Sequence, residues 1–339
     1  MKRRKYPHVD ILILNFNGKS LLKRCLESVE KTDYPDFEIF VVDNGSTDGS
    51  IEFIREHYPL IKLVEMGRNI GLAAAYNQVI NSLVSEFVAL LNNDVEVDKN
   101  WLKHLMDVLV EANDNTMVAT CKIKFLHDKR RINSAGGSCD IYGVGWNRGN
   151  GELDNGQYDK IDEPFYSTGT VMVIRRSLWE KVGGFDERYL MYGEDLDWCW
   201  RARLLGYNIN YVPQSIVYHE WQASRKFVPI VYLLERNWFC TLLKNYSLKT
   251  LIFILPKYLM IKTLKFMWLF LRGKRNEKLA IPKAFIWNIV NLRESLKRRK
   301  KVQSARKVPD QEIQKRMLKK SFEISLWLGT EKHPILRKY

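Results

Sequence analysis

Residues 191–201, MYGEDLDWCWR, place three carboxylates, Glu194, Asp195 and Asp197, within four positions and beside two tryptophans. Carboxylates this close repel one another and take up protons unless a cation, a helix start or a proton transfer favours them. Two readings suit the group: a helix start, whose dipole the acids complement, or a reaction in which a proton is transferred. Asp197 stands four positions before Arg201 and is assigned to a helical ion pair with it. Four further clusters carry hydrogen-bonding groups and acids: Asn15 to Gly18, Asp43 to Gly49, Arg68 to Gly71, and Asn92 to Glu96. Taken singly, each is explained by turn and cap chemistry.

Each of these clusters follows a short β-rich run. The runs are VDILILN (9–15), FEIFVVD (37–43), IKLVEM (61–66) and FVALLN (87–92), with segments of about 20 residues between them. That alternation predicts a parallel, doubly wound α/β sheet. Ligands of such sheets bind beyond the carboxyl ends of the strands, which is where all four clusters fall.

Composition sets the bounds. With 339 residues, 46% hydrophobic and 12% aromatic, the chain is long enough for one large core or two domains and is not disordered. Its net charge of +15 is divided unevenly: residues 1–221 sum to −6 and residues 222–339 to +21. Five widely spaced cysteines show no CxxC pair, which fits a reduced, cytoplasmic setting. The opening MKRRKYPHVDILILNF lacks the apolar length and cleavage site of a signal peptide. It reads as a basic lead-in to a first buried strand.

Seven ordered segments, ILNFNG, PDFEIFVVDNGSTDGS, RNIGLAAAYN, LLNNDVEV, STGTVMVIRRS, GGFDERYLMYGEDLDWCWR and VYHE, resemble the family-2 glycosyltransferases, especially their rhamnosyltransferase-like branch. The resemblance covers roughly residues 8–240. It implies a GT-A fold, Rossmann-like, in a catalytic domain of residues 1–240, followed by a mostly helical, basic extension over 241–339. It also implies inverting transfer of a sugar from a nucleotide-diphosphate donor to an acceptor hydroxyl.

Roles carried over from the family fall on matching positions. Asp43 corresponds to the acid that accepts a base N–H or ribose hydroxyls, with Asn15 and Asn17 in support. Arg68 and Asn69, ahead of the helix opened by Gly71, are placed to approach phosphate; Asn93 completes the nucleotide set. The family's DxD-type motif reads Asn92, Asn93, Asp94, so its first acid is absent. Asp94 remains the expected ligand of a divalent cation, Mg²⁺ or Mn²⁺, with diphosphate oxygens and water filling the shell. Glu96 is a neighbour, and His219 is either a further ligand or a core histidine. Asp195 is the expected general base, kept ionised by the metal or by Arg201, with Glu194 orienting it ahead of a helix over 196–205. Thr168 and Gly169 line a sugar subsite with Tyr192 and Trp198, although alternation along the helix places Trp198 or Trp200 in the core. Asn77, on a helix over 72–83, reads as a polar surface residue.

The tail adds a partner. Residues 250–271 are apolar but interrupted by Pro256, Lys257, Lys262 and Lys265, too charged for a bilayer span. On a helical wheel, Lys257, Lys262, Lys265 and Arg272 occupy an arc of roughly 140°. This predicts a basic amphipathic helix at an anionic membrane surface, reinforced by the basic run at 297–301. No nucleic-acid-binding signature accompanies it, so no nucleic-acid partner is expected. The combined expectation is a metal-dependent transferase, peripheral to the cytoplasmic face of the membrane, using dTDP-rhamnose or a UDP-hexose on a lipid-linked or surface glycan. A sugar nucleotidyltransferase, or a lipid- or nucleic-acid-binding protein with an idle transferase fold, are the alternatives.

Overall fold

The computed structural model describes residues 6–112, 115–221, 229–271 and 279–329. Arg272 of the expected basic arc lies outside them. The strands are β1 (Val9–Asn15), β2 (Phe37–Asp43), β3 (Lys62–Glu65), β4 (Phe87–Asn92), β5 (Val95–Val97), β6 (Thr116–Phe125), β7 (Ile132–Ser134), β8 (Gly137–Cys139), β9 (Gly145–Asn147), β10 (Val171–Arg175) and β11 (Asn208–His219). The helices are α1 (Lys19–Val29), α2 (Ser50–His57), α3 (Leu72–Ser82), α4 (Trp101–Glu111), α5 (Arg176–Val182), α6 (Glu194–Leu204), α7 (Ile230–Asn245) and α8 (Leu248–Leu271), then α9 (Ala280–Val290), α10 (Leu292–Ala305), α11 (Asp310–Gln314) and α12 (Phe322–Trp327).

The main sheet runs β3-β2-β1-β4-β10-β6-β11-β5, with β7 on β6 and a separate β8–β9 pair. Its first four strands are parallel, as the alternation predicts. Period-two alternation sorts the side chains between two layers. Val9, Ile11 and Ile13 pack with Leu22 and Leu26 of α1 and Leu105 of α4. Leu12, Val42 and Leu90 pack on the other face with α3, α6 and α7. The antiparallel β10, inserted between β4 and β6, was not predicted as a sheet partner; it brings residues 168–170 to the carboxyl end of β4.

The expected domain boundary at residue 240 falls inside α7. Trp238 and Leu242 of α7, Tyr258 of α8 and Phe322 of α12 share a core with Leu12 and Leu90 of the sheet, so catalytic part and extension are continuous. Phe322 stacks on Trp146 of β9 with ring centroids 3.9 Å apart, and its amide donates to Asp140 Oδ2 at 2.9 Å.

The expected basic face of α8 is corrected. Lys262 is 1% exposed, forms an ion pair with Glu235 of α7 at 2.8 Å and donates to Glu323 of α12 at 2.6 Å. Lys265 pairs with the same two carboxylates. Burial opposes the charge on Lys262, but the two carboxylates outweigh it and raise its pKa. The helix turns Lys262 and Lys265 inward, because acids far away in the chain meet them, while Lys257 of the expected arc is exposed.

Removing one member of a buried ion cluster leaves the others uncompensated. Lys262→Met is expected to lower unfolding free energy by about 3–5 kcal/mol, read from urea denaturation. An unchanged urea midpoint would show that this cluster does not hold α7, α8 and α12 together.

Candidate active site

β1 and β2 end side by side, with Asn15 opposite Asp43. Asn15 Nδ2 donates to Asp43 Oδ2 at 3.0 Å and to Ser46 Oγ at 3.1 Å, while Asp43 Oδ1 accepts from the amides of Gly45 and Ser46. Both side chains are enclosed, so in the free protein the Asp43 carboxylate shapes this turn. Gly45 has φ +85°, and a Cβ there would lie 2.5 Å from the Arg68 backbone. Only glycine lets the turn after β2 pass that closely to the segment after β3.

The rim continues on both sides. Asn17, at φ 49°, accepts the Thr47 amide at 2.7 Å. Asn93 Nδ2 donates to Asn15 Oδ1 at 2.7 Å, crossing over Gly18, where a Cβ would stand 2.3 Å from the same nitrogen. Asn69 Oδ1 accepts from Asn44 Nδ2 and from the Gly71 amide that opens α3. The strand ends thus form one hydrogen-bonded ledge, with Arg68 exposed beside it.

Asp94 and His219 meet because β5 pairs antiparallel with β11, placing His219 opposite Val95. His219 Nε2 lies 3.3 Å from Asp94 Oδ1, a buried oxygen with no hydrogen-bond partner. His219 Nδ1 lies 3.1 Å from Asn133 Oδ1. The amide oxygen can only accept, so Nδ1 carries a proton, and Nε2 is the ring nitrogen turned toward Asp94. Two such donors suit adjacent positions around an octahedral cation with bonds of about 2.1 Å, whose neighbouring ligands stand about 3 Å apart. These residues therefore fit a divalent ion, and Asn133, invisible to sequence spacing, orients one ligand. A different group, His8, Asp10 and Glu38, lies at the amino ends of β1 and β2. There His8 is held between Asp36 and Asp10 at the other end of the sheet from Asp94.

The acidic pair sits at the same edge. The Asn92 amide donates to the Thr170 carbonyl at 3.1 Å, and the Gly169 amide donates to Asp195 Oδ2 at 2.8 Å. Asp195 Oδ1 accepts the Leu196 amide at 2.7 Å. The helix starts at Glu194, two residues before the expected position, after Gly193 at φ +81°. Burial, then the charge of Asp195, push the Glu194 carboxyl up to about 8. Burial also raises Asp195, opposed by the amides of Gly169 and Leu196. The Glu194 carboxyl therefore keeps its proton at neutral pH, while the two backbone amides favour the charged form of the Asp195 carboxylate beside it. Arg201, expected beside Asp195, instead bonds Asp197 at 3.0 Å and the carbonyls of Val182 and Gly184.

Trp198 requires correction as a sugar contact: it is fully buried, donates to the Gly183 carbonyl and packs on Trp179. No face remains for a sugar. Trp200 is core as well. Phe185, Asp186 and Tyr189 also face inward and anchor the loop before α6. Tyr192 remains partly exposed at φ 68°, after Leu190 at φ 58°. Thr168 is buried, with its hydroxyl unpartnered.

Sequence reasoning missed what positions this loop. Asn237 Nδ2 donates to the carbonyls of Tyr189, Met191 and Tyr192 at 3.2, 3.0 and 2.6 Å, offsetting the left-handed backbone. Asn77, expected at the surface, is buried; its amide nitrogen donates to the Phe185 carbonyl and its oxygen accepts the Phe185 amide. Both asparagines act across more than forty residues, and no local pattern signals them.

Comparison with known proteins identifies the architecture. Residues 10–182 match the family described as Glycosyl transferase family 2, and residues 150–273 match Glycosyl transferase family group 2. The chain belongs to glycosyl transferase family 2. This family-2 chain is a glycosyltransferase, which replaces the nucleotidyltransferase alternative. N-acetylglucosaminyl-diphospho-decaprenol L-rhamnosyltransferase of Mycobacterium tuberculosis is 29% identical over 233 residues, spanning 62% of this chain and 75% of that protein. The structure of GalNAc-T7 with UDP, GalNAc and Mn²⁺ matches with a TM-score of 0.58 and 18% identity, over 74% of this chain and 50% of that one. Mannosyltransferase PcManGT from Pyrobaculum calidifontis, in complex with GDP-Man and Mn²⁺, matches with a TM-score of 0.53 and 18% identity, over 85% of this chain and 75% of that one. These two likenesses establish the GT-A fold of the family-2 chain.

The raised pKa of Glu194 makes stability depend on pH. Because the folded value exceeds the unfolded one, its favourable contribution is complete below the ordinary value of 4.5 and is lost as pH rises through about 8. Glu194→Gln is expected to melt at a higher temperature than the wild type above pH 8, with the difference vanishing near pH 4.5. Parallel melting curves at all pH values would show that Glu194 is not buried in the acid form.

Proposed function

We propose that the protein is an inverting, metal-dependent glycosyltransferase that moves rhamnose from dTDP-rhamnose, or a hexose from a UDP-hexose, to a hydroxyl of a lipid-linked or surface glycan. The observation that carries this is the Asp195 carboxylate, which accepts two backbone amides at the edge that also presents Asp43 and Asp94. The name of the mycobacterial relative, a rhamnosyltransferase acting on a diphospho-decaprenol, favours the rhamnosyl donor and the lipid-linked acceptor. A cytoplasmic, membrane-peripheral location follows from such an acceptor and from the basic tail.

In this reading the base and ribose lie on the ledge of Asn15, Asn17, Asp43 and Asn93. Asp43 reaches them by exchanging a turn hydrogen bond for one to the nucleotide. Arg68 and Asn69 face the diphosphate. Asp94 and His219 would hold a divalent cation, which would supply positive charge against the departing diphosphate. Asp195 accepts the proton of the acceptor hydroxyl as that oxygen bonds the anomeric carbon; the carbon–oxygen bond to the nucleoside diphosphate breaks on the opposite face, inverting the centre. Glu194, protonated beside it, keeps the negative charge on Asp195. In the same reading Thr168, Gly169 and Tyr192 contact the transferred or accepting sugar, Gly169 standing beside the acid pair.

Asp195→Asn is expected to lower turnover about 10²–10⁴-fold while donor affinity stays near wild type, measured as nucleotide release and by calorimetry with UDP- and dTDP-sugars. Normal turnover in the variant would remove Asp195 from the mechanism. Asp94→Ala is expected to abolish the enhancement of UDP or dTDP binding by Mn²⁺. A retained enhancement would place the cation on other ligands.

A further inference from the structure

The outer face of α8 is apolar. Ile252, Phe253, Met260, Met267 and Phe270 follow one another at helical spacing, each more than half exposed, and Ile289 of α9 is exposed to the same degree. The two helices adjoin, Tyr258 of α8 lying 6.3 Å from Phe285 of α9 between ring centroids. Soluble surfaces seldom carry apolar side chains in such a continuous row, and a row of this kind marks a contact. The inner face is apolar too, through Leu251, Ile254, Tyr258, Ile261 and Leu269. Helix α8 thus packs one apolar face on the core and leaves a second apolar face exposed.

Charge around the row narrows what that is. Lys249, Lys257, Lys283, Arg293 and Lys297 are exposed on the same helices and the start of α10. The acidic residues of the described part of 248–301 reduce to Glu294, which is paired with Arg298 at 3.0 Å. An apolar centre with a cationic border matches acyl chains beneath anionic head groups. A second copy of this chain would oppose one basic border with another. No helix among the described residues is long and apolar enough to cross a membrane, so the contact is along the surface.

We propose that the exposed row of α8 and α9, centred on Phe253, Met260 and Met267, is the surface that inserts into an anionic bilayer, with the exposed basic residues binding head groups; this deepens, and rests on, the membrane-surface reading given with the proposed function. The helices lie in the membrane plane, and insertion of the row reaches the head-group and acyl boundary. The amphipathic helix expected from sequence is kept, but with a smaller basic share: Lys257 is exposed, whereas Lys262 and Lys265 stay inside.

The test is co-sedimentation of the full chain with phosphatidylcholine vesicles containing phosphatidylglycerol, at low and at molar salt. The wild type is expected to bind at low salt and to keep part of its binding at molar salt, because insertion is not screened. The combined variant Phe253→Ser, Met260→Ser, Met267→Ser alters exposed positions only and is expected to lose affinity about tenfold for each side chain. The combined variant Lys257→Gln, Lys283→Gln, Arg293→Gln is expected to lose chiefly the salt-sensitive part. Vesicle binding by the serine variant equal to wild type would overturn the proposal, as would no wild-type binding, binding abolished by salt, or a solution dimer that the serine changes dissolve. Nucleotide release from the sugar donor, measured without vesicles, is expected to be equal in wild type and serine variant. If neither releases nucleotide while sedimentation behaves as expected, the transferase mechanism fails and the membrane surface stands.

Discussion

The hydrogen bond from the Gly169 amide to Asp195 joins the two halves of the reactive edge, and the arrangement of the rest of the molecule makes it possible. Parallel strands all deliver their carboxyl ends to one side of a sheet. An antiparallel strand inserted among them begins on that side, and β10 does this beside β4. The segment leading into β10 therefore begins at the carboxyl end of β4, and an amide within it meets the first turn of α6. A side chain at residue 169 would enter the space between the acids, since a Cβ there would stand 3.5 Å from Asp195 Oδ2 and 3.7 Å from Glu194 Oε1.

Buried charge is treated in two ways within one helix. On one side of α6, Asp197 is met by Arg201 and Lys244, and Lys244 also bonds Asp186 at 2.6 Å. Burial works against the Asp186 carboxylate, but Lys244 and Arg188 outweigh it and hold its pKa well below the usual range. Such a group is fixed in charge and suited to holding a loop. On the other side, Glu194 and Asp195 have backbone amides but no cation among these partners, and Glu194 keeps an unpartnered buried oxygen. Leaving an acid undercompensated costs stability, and proteins retain that cost chiefly where a proton has to move.

The helical extension continues the same core. Its α7 supplies Asn237, which holds the strained loop ahead of α6, and Lys244, which neutralises Asp186 and Asp197. The candidate site is thus built partly by residues beyond the strands that carry the asparagine ledge. The segment reaching Phe322 returns to stack on Trp146, closing the extension back onto the β8–β9 pair.

Much of this was determined by sequence alone. The bounds of β1, β2 and β4 coincide with the β-rich runs, because a strand buried on both faces declares itself as a continuous apolar segment. The polar clusters at their ends, the family resemblance and the Asp197–Arg201 pair were legible for the same reason: each depends on neighbours or on motif order. Tertiary structure alone decided the rest. Trp198 is enclosed by Trp179 and Phe185, and Asn77 reaches a loop 108 residues away. Lys262 and Lys265 turn inward because Glu235 and Glu323, which lie 30 residues before Lys265 and 61 after Lys262, converge on them. A helical wheel records where side chains point along one helix. Which side is wet depends on desolvation and charge pairing with distant segments, and those are set when the chain packs.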